Sequence, residues 1–199
     1  PAATEGILYT NWECVPGGVS RMTLIQGLDG RWTVTGGGQV DLALIRGTIV
    51  NCNASVTPWN TGLSSEEAAV RTGASWFAGF AAVMDAYVGG IANPYDYGYT
   101  IELMPTGDGS TTAVKHYAMG RRDGEQSWVA PDLRTVYFGD DGTRKILYRF
   151  VADIPGDLSA GTLYAAHVSQ STGTGINDFS FQLQWIALGT GNDAEIEAA

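Results

Sequence analysis

TVYFGDDGTRKILYRFV (Thr135–Val151) holds two runs of β-branched and aromatic residues, Thr135–Gly139 and Lys145–Val151, on either side of Gly139-Asp140-Asp141-Gly142. Such residues suit a pleated, half-buried surface, and Asp-Gly between them is hairpin chemistry. The stretch therefore predicts two antiparallel strands joined by a type I′ turn. The rhythm continues outward. GILYT (Gly6–Thr10), SRMTLI (Ser20–Ile25), RWTVT (Arg31–Thr35), TIVNC (Thr48–Cys52), YGYTIELM (Tyr97–Met104), AVKHYAM (Ala113–Met119) and Ser127–Ala130 precede it, and GTLYAAH (Gly161–His167) and FSFQLQWIAL (Phe179–Leu188) follow. Strand signals about every 8–15 residues predict an all-β architecture; propeller, sandwich and open barrel all fit that spacing.

One segment departs from the rhythm. Ser64-Ser65-Glu66-Glu67 has the pattern of a helix N-cap with carboxylates in the first turn, running on through Ala69 and Val70. Ala74–Tyr87 (ASWFAGFAAVMDAY) then reads as a packed helix or semi-buried insertion, because it is short for a membrane span and contains Asp85. The expectation is an all-β fold with one short helical insertion.

Across 199 residues, 44% are hydrophobic and 16% charged, which supplies one sizeable core and excludes a disordered acidic chain. Residues 1–199 read as a single domain whose last stretch, GTGNDAEIEAA (189–199), has the composition of an acidic linker or tail. The net charge of −10 argues against nucleic acid or an anionic membrane as partner, since phosphate contacts need a basic face. No apolar run reaches transmembrane length, and PAATEGILYT lacks the basic start and apolar run of a signal peptide, as in a cytoplasmic or an already processed chain. Cys14 and Cys52 are compatible with one bridge or with two thiols.

Chemistry concentrates in NCNASVTPWNTGLSSEE (Asn51–Glu67). Glu66 and Glu67 offer hard oxygen ligands for calcium or ferric iron, and Cys52 offers a thiolate suited to a transition metal. Adjacent carboxylates repel unless a cation or a helix N-terminus compensates them, and a solvated, well-capped helix start is the competing reading. Glu13 and Glu125 are lone acids near strand ends. Asp140 and Asp141 fit a turn, and His116 and His167 fit cross-strand positions. Arg121 and Arg122 could hold a phosphate through bidentate hydrogen bonds, with surface pairing to acids as the alternative. There is no GxSxG elbow, HExxH helix or Walker loop.

A Cys followed by TPWxxxLxxEE, here Cys52, Thr57, Pro58, Trp59, Leu63, Glu66 and Glu67, resembles the alkaline phosphatases called PhoX. Further blocks resemble that family in order: Asn11-Trp12-Glu13, Tyr97–Met104, Met119-Gly120-Arg121 to Glu125, Tyr137–Asp141 with Leu147–Phe150, and Gly161–Ala166. The resemblance implies a β-propeller of six blades, of which this chain could form about half, and a cluster of calcium and iron held by Cys52, Glu66, Glu67, Glu125 and Glu13. It implies export to the periplasm or beyond, and another polypeptide completing the propeller near Phe179–Leu188. Two departures stand out: Trp12 and Gly124 occupy positions where the family writes His, and its later Arg-Pro-Glu block is absent. Two functions follow from the resemblance. One is a metal-dependent phosphomonoesterase fragment acting in a larger assembly; the other is a non-catalytic PhoX-like subunit with a structural or interaction role.

Overall fold

The computed structural model describes residues 4–68, 73–172 and 179–199. Three antiparallel sheets follow one another along the chain. The first contains β1 (Glu5–Trp12), β2 (Gly18–Gln26) and β3 (Trp32–Gln39). The second contains β4 (Asn51–Val56), β5 (Gly62–Glu66), β6 (Thr100–Pro105) and β7 (Thr111–His116). The third contains β8 (Gly124–Val129), β9 (Thr135–Asp140), β10 (Leu147–Ile154), β11 (Asp157–Thr172) and β12 (Phe179–Asn192). Within each sheet every strand pairs with its neighbour in sequence, so the all-β expectation holds and its form is three meanders. Helices α1 (Gly73–Gly79) and α2 (Ala81–Val88) form the insertion between β5 and β6, and α3 (Asp193–Glu197) follows β12. Among the described residues no helix is long and apolar enough to cross a membrane.

The core has three parts. Val19, Val40 and Leu42 pack on Ile101, Leu103 and Ala113, joining the first sheet to the second. Leu63 meets Val136, Phe138 and Phe150, joining the second to the third. Trp76 and Met84 of the insertion pack on Ile49 and Tyr97, with the Trp76 and Tyr97 rings stacked at 5.4 Å.

Two expectations are corrected. Ser64-Ser65-Glu66 is not a helix start but the end of β5, a central strand whose residues are all buried. The Ser64 hydroxyl accepts from Asn51 Nδ2 (2.9 Å) and donates to Asn11 Oδ1 (3.0 Å), cross-strand partners a helix would not have given it. The expected helical run through Ala69 and Val70 lies outside the described residues. The β9–β10 connection is likewise no type I′ turn. Gly139 pairs with Leu147, which leaves a seven-residue loop, and Lys145 pins that loop by an ion pair to Asp123 at 2.6 Å.

The Thr57-Pro58-Trp59 turn closes the β4–β5 hairpin, with Thr57 N–H bonded to Thr61 C=O at 2.9 Å. Trp59 Nε1 donates to Glu102 Oε1 (2.8 Å), and Glu102 Oε2 meets His116 Nε2 at 2.9 Å. The other imidazole nitrogen of His116 meets Asp193 Oδ2 at 3.2 Å, while Asp193 Oδ1 accepts from Ala118 N–H (2.7 Å). Residues 189–192 thus complete β12, and α3, capped by Asn192, is latched onto the second sheet.

Burial disfavours the imidazolium, but the two carboxylates outweigh it and push His116 up to about 9 from 6.5. A raised folded-state pKa stabilises fully below the unfolded value and loses that stabilisation as pH rises through the folded one. Urea unfolding should therefore show stability falling between about pH 6.5 and 9, and the His116→Gln variant should flatten that slope. An unchanged slope in the variant would assign the loss to another group.

Candidate metal centre

The end of the β4–β5 hairpin opposite the Trp59 turn gathers the candidate ligands. Asn51 pairs with Glu66 and Ala54 with Ser64, so Cys52 and Asn53 absorb a register shift in β4. A bulge of this kind re-aims side chains. Neighbouring residues on an extended chain point to opposite sides, so the Glu66-Glu67 pair divides. Glu67 N–H bonds to Val50 C=O at 3.0 Å, continuing the pairing one step past β5.

Glu66 turns inward and is fully buried. Its Oε1 accepts from Ile49 N–H (2.9 Å) and faces Lys115 Nζ at 3.6 Å; its Oε2 accepts from Gly98 N–H (2.9 Å) and Tyr99 N–H (3.0 Å). Lys115 Nζ also donates to Asp96 C=O (2.7 Å) and lies 4.4 Å from the Tyr97 ring centre. Burial pushes the Glu66 carboxyl up and the Lys115 ammonium down, and each is held back by the charge of the other. Expected as a ligand, Glu66 is instead consumed by backbone amides and a lysine, and stands apart from the acidic clusters.

Glu67 turns the other way and joins two groups. Glu13, Cys52 and Glu67 each bring one donor atom within 4.8 Å of the others, and Glu67, Glu125 and Asp141 do the same. Glu13 follows β1, whose Asn11 Nδ2 donates to Cys52 C=O (3.2 Å) and Asn53 C=O (2.9 Å). Glu125 sits where β8 shifts register against β9, and Asn53 Nδ2 donates to its Oε2 at 3.2 Å. Ser55 Oγ donates to Ser127 C=O, fastening β4 to β8. Asp141 begins the loop after β9, its N–H bonded to Asp123 C=O at 3.0 Å. The turn reading of Gly139–Gly142 passed over it; the unused signal was a second acid where a tight turn needs one.

The acids act on the thiol. A hydrogen bond to Glu67, then burial, then the charges of Glu67, Glu13 and Glu125 push Cys52 up to about 12. Without a cation the sulfur therefore stays protonated. A bound metal would reverse this, since a coordinating thiol is deprotonated outright.

The two arginines expected at a phosphate face elsewhere. Arg121 donates through Nε to Tyr97 C=O (2.8 Å) and through Nη2 to Pro94 C=O (3.0 Å). Arg122 is buried over the Phe138 ring at 3.9 Å and donates to Gly120 C=O (3.1 Å), Thr100 Oγ1 and Ser127 Oγ (3.1 Å). Gly124 packs so closely on Ser65 and Glu66 that a Cβ there would lie 3.0 Å from the Glu66 carbonyl oxygen, leaving little room for the histidine of the family pattern.

The family model described as Alkaline phosphatase PhoX matches residues 22–199. The chain belongs to the PhoX family. No curated protein and no solved structure matches it. The PhoX match begins after Glu13, so four of the five residues in the two acidic groups lie inside it. PhoX phosphatases depend on metal, and the oxygen and sulfur donors at this end of the hairpin could hold one.

Two outcomes follow from the division of the glutamates. In metal-free protein, Glu66→Ala should cost about 3–5 kcal/mol in urea unfolding, because it strands a buried ammonium and three amides. Glu67→Ala should leave stability equal or raised, since it removes repulsion. In the same metal-free protein with Cys14→Ser, thiol reagents at pH 8 should label Cys52 slowly and Glu67→Gln should speed the reaction; equal rates would detach Glu67 from the thiol.

Proposed function

We propose that this chain forms the metal-holding wall of a phosphomonoesterase that works within a larger assembly. One observation carries the reading: Glu67 is common to both acidic groups, as a carboxylate shared between two neighbouring cations would be. The group with Cys52 has the mixed sulfur and oxygen chemistry that suits iron, and the all-carboxylate group with Glu125 and Asp141 suits calcium. When bound, such metals supply Lewis acidity toward phosphate oxygens and lower the pKa of a coordinated water. The chain's own part is to hold them. Cys52 would give up its proton on loading, Glu67 would supply a ligand oxygen common to both groups, and Asn11 and Asn53 orient Cys52 and Glu125 from behind. The Glu66–Lys115 pair fixes the strand from which Glu67 projects.

A second reading has its own support. Arg121 and Arg122 are tied elsewhere, and Trp12 and Gly124 take the place of two histidines. A non-catalytic PhoX-like subunit fits these features, and in the enzyme reading the groups that grip phosphate come from another polypeptide. β12 is an edge strand with Phe181, Leu183 and Leu188 exposed. Long apolar edges of this kind are ordinarily covered, and we place the partner there, completing a propeller. Family membership supports a site of action in the periplasm or beyond.

The test is metal content by plasma mass spectrometry, followed by hydrolysis of a chromogenic phosphomonoester, on protein purified with whatever accompanies it. Iron and calcium should both be present. Cys52→Ser should lose iron selectively, Asp141→Ala should lose calcium selectively, and Glu67→Ala should lose both along with at least tenfold in rate. Bound metal without hydrolysis would select the subunit reading; absence of both metals would remove the metal centre.

A further inference from the structure

A second feature lies at the opposite end of the same strands. The metal centre takes the C-terminal end of β1 and the open end of the β4–β5 hairpin. A cavity of about 700 Å³ takes the N-terminal half of β1, from Glu5 to Tyr9, and the closed end of that hairpin, from Asn60 to Gly62. A smaller one, about 360 Å³, adjoins Gly38, Gln39 and Thr111. Arg21 and Gly109 line both.

The origin of the space is legible in β2. Val19, Arg21 and Thr23 alternate onto one face of the strand. Val19 is fully buried among Ile101, Leu103 and Ala113, so this face looks toward the second sheet. Two residues further on, the position is arginine. Its partner on β3 is Gly38, where a Cβ would meet nothing within 4 Å. Its partner on β1 is Tyr9, whose hydroxyl reaches across to Thr111 Oγ1 at 2.9 Å. The guanidinium thus lies in the gap between the two sheets, where the apolar packing stops.

The guanidinium is positioned but not satisfied. Nη1 donates to Thr23 Oγ1 at 3.1 Å, while Nε is shut away from solvent with no acceptor. Among the described residues no carboxylate stands within ion-pair distance of Arg21, although the chain carries 21 acidic residues. The two acids on the cavity walls are exposed: Glu5 at the rim of the larger, and Asp41 at the smaller, where its Oδ1 accepts from Ala43 N–H at 2.9 Å. The guanidinium thus lines both cavities with no carboxylate partner among the described residues, which leaves it able to take an acceptor from outside.

We propose that this cavity binds a compact oxyanion, the phosphate or carboxylate group of a small polar molecule, with Arg21 as its anchor. The planar fork of arginine matches two oxygens of such a group. The site is independent of the metal centre, and chelated protein tests it without interference from metal-bound phosphate.

The experiment follows the Arg21 Nε–H resonance of the ¹⁵N-labelled full chain in chelator, titrated first with inorganic phosphate and then with acetate at matched ionic strength. A saturable shift is expected with at least one of them: phosphate alone would identify a phosphate ligand, acetate alone a carboxylate, and both a site for either. Affinity read from backbone amides around the cavity should fall roughly tenfold or more in Arg21→Lys, which keeps the charge and loses the fork. Gly38→Val, at a position with open space and no positive φ, should weaken binding by filling the smaller cavity. No saturable shift with either anion, or unchanged affinity in Arg21→Lys, overturns the proposal.

Discussion

The architecture of the candidate site depends on the burial of Glu66 against Lys115 in the middle of the second sheet. A charged pair placed there, 3.6 Å apart and out of solvent, is tolerated only because the remaining lone pairs and protons are met: three amides bond to the carboxylate and the Asp96 carbonyl receives the ammonium. Those partners come from the segment before β4, from the Tyr97–Tyr99 approach to β6, and from β7. The ion pair therefore fixes the depth and direction of β5 relative to three other segments. With Glu66 committed inward, alternation leaves Glu67 one way to point, toward Cys52, Glu13, Glu125 and Asp141.

The outward side has the opposite electrostatic character. Three further carboxylates and a thiol meet around Glu67. Part of the cost is absorbed by the thiol, which keeps its proton and donates to Glu67. A bound cation would remove both problems together, neutralising the acids and releasing that proton, so affinity for metal should rise with pH until the thiol is ionised. The rigid inward pair makes this feasible, since a strand free to rotate would relieve the repulsion by turning Glu67 to solvent.

Much of this was legible in the sequence, for reasons that differ between residues. Strand rhythm gave the meanders because β-branched and aromatic runs alternate with turn residues, and the family resemblance drew attention to Cys52, Glu67, Glu13 and Glu125. Ser64–Glu67 misled because capping and strand pairing use the same residue types; only the neighbouring Asn51 and Asn11 decide between them. Tyr97-Gly98-Tyr99 looked like part of a strand, whereas Gly98 and Tyr99 serve through their amides, which no side-chain pattern reveals. Arg122 offered its charge to any reading of a phosphate site, yet burial pulls it down to about 10 and its donors end on hydroxyls and a carbonyl. Arg21 lay in no motif and Asp141 read as a turn residue; both are recognised by the company that other strands bring to them.

The two ends of the β4–β5 hairpin tie the turn motif to the candidate ligand set. At one end Trp59 anchors the turn to Glu102, and through His116 and Asp193 that anchor extends to α3. At the other end the same two strands deliver Cys52 and Glu67. A hairpin this short, five and six residues per strand, transmits a shift at the turn into the register at its open end, because one residue of slippage exchanges the faces of every side chain. The Thr57-Pro58-Trp59 turn thus acts on the candidate metal centre by holding register, keeping Glu66 in and Glu67 out, without contributing a ligand atom. Its role is positional, and the carboxylates it positions are the candidate ligands.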